Sequence, residues 1–313
     1  MIMTVKGAID GESLGLTLVH EHLLVDFSSA EDQIEITNSI RSDIINTMLP
    51  YLLEIKNLGV KTFFECTPKY VGRDVKTLKI LSELSGLNIV TNTGFYGAGN
   101  GKHVPKKYYG ETAEKIAEMF IKEWKEGIED TDIKPGFIKT AVNPGPLSDL
   151  DKKLIIATAI THLETGLTIA CHTGEAVCAI EVTDIIKKVG IDLSSLIIVH
   201  ADNIEDFDVH LMLLKRGIWL EYDSIGARPI DYHVRLIERV IKEGFEDRIL
   251  LSHDAGWYAV GEKNGGRQKI RGYTDIFYKL IPELIKRNIS QEIINEFLIE
   301  NPKRAFEIRI RKK

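Results

Sequence analysis

Short β-rich runs alternate with longer amphipathic stretches almost from one end of the chain to the other. The runs at 16–20, 60–66, 87–93, 136–141, 167–172, 195–200, 218–223 and 248–254 are predicted strands. Each is brief and apolar or β-branched, as expected of parallel strands covered on both faces. Between them, residues 111–126 place Ile116, Met119, Phe120 and Trp124 on one helical stripe with charges opposite. Further helical patterns near 41–57, 74–85, 151–165 and 231–243 are followed by Gly59, Gly86, Gly166 and Gly244, the usual C-terminal stop. Eight strands with helices between them predict an α/β protein, a single (β/α)8 barrel over residues 1–313, rather than an open doubly wound sheet. No linker divides the chain, so one domain is expected.

Three connections after predicted strands are long: 23–40, 94–111 and 255–272. In a barrel of this kind they lie on the C-terminal face, where active sites are built. Within them, the segments GFYGAGNG and GEKNGGRQ read as mobile specificity loops. The first does not fit the phosphate-binding fingerprints.

Composition narrows the function. The chain is 44% hydrophobic and 27% charged, with a net charge of −6, which suits a globular small-molecule enzyme. A nucleic-acid or anionic-membrane partner would favour a basic surface. The amino end lacks the features of a signal peptide, and no run of about eighteen apolar residues suggests a membrane span. Cys66, Cys171 and Cys178 show no C-x-x-C spacing, so reduced thiols and a cytoplasmic location are expected. Cys171, in TIACHT, reads as a buried strand end rather than a nucleophile.

The chemistry-bearing residues fall at strand ends. His20 and His22 flank Glu21 at the end of the first predicted strand, and residues i and i+2 of a strand share a face. His172, His200 and His253-Asp254 end the fifth, sixth and eighth, and Lys139 lies near the end of the apolar fourth. One such histidine is more often a core residue, but the set at successive strand ends reads as catalytic. Imidazole and carboxylate donors suit zinc, and also manganese, cobalt or iron. Two sets emerge: His20, His22 and Asp254 for one ion, His172 and His200 for a second. Two neighbouring cations need an anionic bridge, which Lys139 can provide only as a carbamate formed with carbon dioxide.

These motifs resemble the phosphotriesterase family of the amidohydrolase superfamily. The resemblance rests on Leu18-Val19-His20-Glu21-His22, Phe137-Ile138-Lys139, Cys171-His172-Thr173, Val199-His200-Ala201-Asp202 and Leu251-Ser252-His253-Asp254. The tail from Glu300 to Phe306 looks like the family's closing helix, so the likeness spans residues 15–307. It implies a binuclear site at the C-terminal face, with His20, His22 and Asp254 on the more buried metal and His172 and His200 on the other. Carboxylated Lys139 and a hydroxide would bridge them. Asp254 would carry the proton, and His253 would not be a ligand.

The family includes organophosphate triesterases and lactonases. Tyr96 looks like the aromatic that lactonase-type relatives place beside the metals, although packing in a loop would account for it equally. At the seventh strand, where better-known members carry an arginine or a histidine, this chain has Asp223-Ser224-Ile225-Gly226, which resembles the sugar-lactone-hydrolysing branch. Arg228, Lys102, His103 and Arg267 are candidates to meet a polar or phosphorylated substrate. The reading is a lactonase acting on a sugar lactone, with side activity on phosphotriesters. The alternatives are an organophosphate or acyl-homoserine-lactone hydrolase, an amide hydrolase of the wider superfamily, or a non-catalytic binding protein. A nuclease with a His-x-His barrel would lack the bridging lysine. A homodimer is implied by the resemblance alone.

Overall fold

The structure, a computed structural model, describes residues 1–312. An antiparallel hairpin comes first, β1 (Ile2–Thr4) with β2 (Gly7–Ile9). A parallel ring follows: β3 (Thr17–Val25), β4 (Thr62–Glu65), β5 (Asn88–Val90) with its continuation β6 (Asn92–Thr93), β7 (Phe137–Ala141), β8 (Ile169–His172), β9 (Leu196–Val199), β10 (Trp219–Tyr222) and β11 (Ile249–Leu251) with its continuation β12 (Gly256–Ala259). Neighbours in this order pair in parallel from β3 to β5 and from β6 to β11, and β12 returns to β3. Asp254 N–H to His20 O (3.1 Å) and His22 N–H to Ala255 O (2.9 Å) close the ring.

The predicted helices form as α1 (Asn38–Asn57), α2 (Val75–Ser85), α3 (Ala113–Glu126), α4 (Asp149–Thr165) and, after α5 (Ala176–Lys188) and α6 (Phe207–Lys215), α7 (Ile230–Lys242). Gly86 and Gly166 end α2 and α4 at φ 70° and 75°, a conformation that costs other residues about 1–2 kcal/mol. The chain closes with α8 (Ile281–Lys286), α9 (Gln291–Asn295) and α10 (Asn301–Phe306). The hairpin and β12 went unpredicted, because strands of three or four residues beside turns carry too little periodicity.

Alternation sorts each strand into two layers. Phe63, Ile89, Ile138, Ile169, Ile198, Leu220 and Ile249 face outward into the cluster beneath the helices. Phe64, Val90, Phe137, Ala170, Ile197, Trp219 and Leu250 form a separate interior cluster with Phe306 of α10. The Phe306 ring lies 4.1 Å from Phe64 and 5.7 Å from Phe137, plugging the N-terminal end. The opposite end carries the polar groups. Phe306→Ala should lower stability by about 3–5 kcal/mol, read as a shift in the denaturant midpoint with the metal content unchanged.

Candidate metal centre

Strand parity places most of the site. In β7, Phe137 faces inward and so does Lys139; in β8, Ala170 and then His172; in β10, Trp219 and Glu221, with Asp223 just beyond its end. In β3 the register against β4 slips by one residue between Leu18 and Glu21. Leu18 therefore faces the helices and Val19 the interior, and beyond this bulge His20 and His22 both face inward. His200 and Asp254 turn in through left-handed backbone, at φ 59° and 48°, strain that the surrounding contacts must hold. Gly94 (φ 121°) closes the space beneath: a Cβ there would lie 2.0 Å from the Lys139 carbonyl oxygen.

All six predicted ligands line one cavity of about 410 Å3, together with Tyr96, His103, Phe27, Cys66 and Trp257. Ligand atoms of His20, His22 and Asp254 lie within 4.8 Å of one another, with His22 Nε2 3.1 Å from Asp254 Oδ1. The His172 ring stands 4.6 Å from His200 and nearly perpendicular to it. Lys139 Nζ lies 3.3 Å from His20 Nε2.

The opposite edges of the rings are fixed from behind. His20 Nδ1 is 2.5 Å from Glu221 Oε1 and 3.2 Å from Asp223 Oδ2. His200 Nδ1–H donates to Asp223 Oδ1 at 2.7 Å, and His22 Nδ1–H to Thr67 Oγ1 at 2.7 Å. With each Nδ1 engaged, the Nε2 lone pairs are left for the cavity, the outer-shell arrangement of metal-binding histidines. Asp223 lies as close to His20 and His200 as a ligand would, but on their Nδ1 side, so it orients the rings.

Electrostatics agree with ligation at His20 and His172, whereas at His200 burial is outweighed by the neighbouring Asp223, which raises the ring's pKa. Burial, then the Lys139 charge, pushes His20 down to about 3. Burial, then His200 and Lys139, holds His172 well below the usual range. Both are thus neutral donors. Burial and the neighbouring Asp223 push Glu221 well up. His200 and His20 hold Asp223 well down despite its burial, so the carboxylate pair keeps one proton, on Glu221. Burial would also raise Asp254, but the hydrogen bond from His22 and the neighbouring His20 and His200 rings keep it low, as a carboxylate. The donor set fits a divalent ion at His20, His22 and Asp254. Around Lys139, two imidazoles and an ammonium fit a second cation only once the lysine has lost its positive charge.

The other predicted residues divide. Tyr96 places its hydroxyl 3.3 Å from His172 Nδ1, and burial pushes its phenol up. His103 stacks edge-on at 5.9 Å from Tyr96. Lys102, Arg228 and Arg267 do not line this cavity. Lys102 Nζ donates to the Phe27 carbonyl at 2.6 Å, Arg228 covers the Tyr232 ring at 5.1 Å, and Arg267 binds Thr47 and Asp43 of α1. Each long cation finds a closer partner on its own scaffold. Cys171 faces the helix layer, which removes it as a nucleophile.

Three carboxylates escaped the sequence reading. Glu221 was accessible by parity, as an inward acid two residues after Trp219. Glu21 and Glu65 face outward yet are fully buried. Glu21 accepts from Ser252 Oγ (2.8 Å), His253 Nδ1–H (2.6 Å) and the His253 and Ala255 N–H groups (both 3.0 Å). It thereby clamps the corner that presents Asp254. His253 accepts from Ile276 N–H at 3.0 Å on Nε2, so both ring nitrogens are engaged and it is a strut and no ligand. Glu65 receives Thr67 Oγ1–H at 2.6 Å, behind His22.

Comparison with known proteins accords with this geometry. The sequence model of the phosphotriesterase family matches residues 1–306. The chain is 28% identical to an N-acetyltaurine hydrolase of Xenopus tropicalis over 96% of each chain. It is 30% identical to the Dictyostelium discoideum protein of that name, over 98% of each. It is 27% identical to the phosphotriesterase homology protein of Escherichia coli, over 94% of this chain and 98% of the other. A triple mutant of the organophosphorus hydrolase from Deinococcus radiodurans superposes with a TM-score of 0.87 at 26% identity, covering 98% of this chain and 97% of that one. Enzymes of this family are binuclear metal hydrolases. This chain belongs to the phosphotriesterase family, and it is a hydrolase.

Proposed function

We propose that this protein opens a sugar lactone, with or without a phosphate on the sugar. His20, His22 and Asp254 would hold one divalent ion, and His172 and His200 a second, with carboxylated Lys139 serving both. Zinc suits these donors best, and manganese, cobalt or iron(II) are tolerated. Such ions, when bound, lower the pKa of water and polarise a carbonyl oxygen.

The chain's own residues do the rest. Asp254, a carboxylate with a quarter of its side chain exposed, would accept the proton of the attacking water and return it to the leaving oxygen. Tyr96 stays protonated and reaches the same cavity, so its hydroxyl can donate to the substrate. Phe27 and Trp257 wall the mouth. The observation that carries the reading is the convergence of all six ligand candidates on one cavity of about 410 Å3, sized for a small molecule.

A second reading, hydrolysis of an N-acylated amine, draws support from the relatives named N-acetyltaurine hydrolase at 28–30% identity. The same ligands would serve either bond. A cytoplasmic location and a homodimer complete the proposal; among the described residues no helix is long and apolar enough to cross a membrane.

Asp254→Asn that still binds its metals should lose about 100-fold or more in kcat; wild-type turnover at full metal content would remove Asp254 from proton transfer. Asp223→Ala should weaken metal binding about 10–100-fold, read by competition with a chelator. Among γ- and δ-lactones with and without phosphate, N-acetyltaurine, other N-acylated amines and paraoxon, the lactones should show the highest kcat/KM. A higher value for the amides would select the second reading, and turnover of paraoxon alone would select a triesterase.

A further inference from the structure

Beside the metal cavity lies an outer lobe of about 380 Å3, and the two share Phe27, Asp254 and Trp257 in their lining. Two cations, Lys269 and Arg271, line that lobe. Lys269 has a partner: its Nζ lies 2.7 Å from Glu262 Oε2, and both are largely exposed. Arg271 is different. Its guanidinium donates to three backbone carbonyls, Ile225 (3.2 Å), His253 (2.5 Å) and Asp254 (2.8 Å). Its own carbonyl accepts from Gly256 N–H at 2.9 Å. Among the described residues it forms no ion pair with a carboxylate.

A carbonyl orients a guanidinium without neutralising it. Arg271 is thus a full positive charge, half-buried and locked in place, on the wall of a cavity beside a metal-ligand candidate. Partial burial of an unneutralised charge is costly, and although Asp254 and Glu262 also line the lobe, neither forms an ion pair with Arg271, so an anion entering the cavity would offset that cost. With three of the five Arg271 N–H donors spent on carbonyls, its Nε–H and one Nη1–H remain to donate singly to an oxyanion, and a group so held loses little freedom in binding one. Between the lobes stand Phe27 and Trp257, ring centroids 5.6 Å apart. At that separation the rings are in contact, an apolar partition over whose edge a short carbon chain would pass.

We propose that the outer lobe is a subsite for an oxyanionic group of the substrate, a phosphate, sulfonate or carboxylate joined by a short linker to the bond that is cleaved. Arg271 is its fixed donor, and Lys269, drawn away from Glu262, is its mobile one. The proposal rests on the adjoining cavity being the hydrolytic centre, and it narrows the substrate to compounds with a carbonyl at one end and an anion at the other. Glu262 acts as a brake, because it competes with the incoming anion for Lys269.

The test is a calorimetric titration of the metal-loaded protein with ethylphosphonate, ethanesulfonate and propionate, beside neutral propionamide. At least one anion should bind while the amide does not, and the rank of the three identifies the group. Arg271→Gln should weaken that binding about tenfold or more, and Lys269→Gln should weaken it several-fold. Glu262→Gln, a change at an exposed side chain, should tighten it several-fold. Anion binding indifferent to all three substitutions would place the anion on the metals and overturn the subsite, as would no binding at all. Anion binding with the expected signs, but no turnover of any lactone or amide, would keep the subsite and overturn the hydrolytic reading. Equal kcat/KM for neutral and phosphorylated forms of one lactone would do the reverse.

Discussion

The contact on which the site depends is made behind the metal ligands, where the buried carboxylates of β10 meet the Nδ1 edges of His20 and His200. Asp223 is fully buried, and a carboxylate in that position is tolerable only with donors around it. It receives the His200 ring, the His200 N–H at 3.1 Å and the edge of His20. Two strands not adjacent in the barrel, β3 and β10, are thereby tied through one charge. The same contact fixes the tautomer of each ring, because a proton held at Nδ1 cannot also occupy Nε2.

Around this contact the molecule separates two tasks along the barrel axis. The N-terminal half of the interior is aromatic and aliphatic, closed by Phe306. The C-terminal half is imidazole, ammonium and carboxylate. Orientation of the polar half is carried by groups that no substrate touches: Thr67 and Glu65 behind His22, Glu21 and His253 beneath Asp254. Strain at His200 and Asp254 is held by this framework, which explains how two residues with positive φ keep their side chains aimed into one cavity.

Much of this was legible in the sequence, and for identifiable reasons. Eight short apolar runs with intervening helical stripes specify the barrel, since neither period suits another element. The ligand candidates were legible because each ends a run, where alternation leaves a polar inward residue nothing to do but meet its counterparts. Glu21 and Glu65 were not, because they break the outward apolar pattern and their partners, Ser252, His253 and Thr67, are distant or local in ways that periodicity does not encode. Arg271 and Trp257 follow a strand that continues into what reads as a loop. Lys102, Arg228 and Arg267 show the converse limit: charge in a loop near the mouth says nothing of where a flexible side chain ends, and all three end on the protein itself.

The bulge in β3 has an evolutionary corollary. Because the bulge absorbs one extra residue between Leu18 and Glu21, a strand straightened from Leu18 onward with every residue kept would turn the whole histidine pair to the helix side while sending Glu21 into the cavity. Substitutions along this strand act locally, but flattening the bulge without losing a residue reverses every position beyond. Descendants of this chain are therefore free to vary the loops in length, while this strand must keep its register against β4 from Glu21 onward.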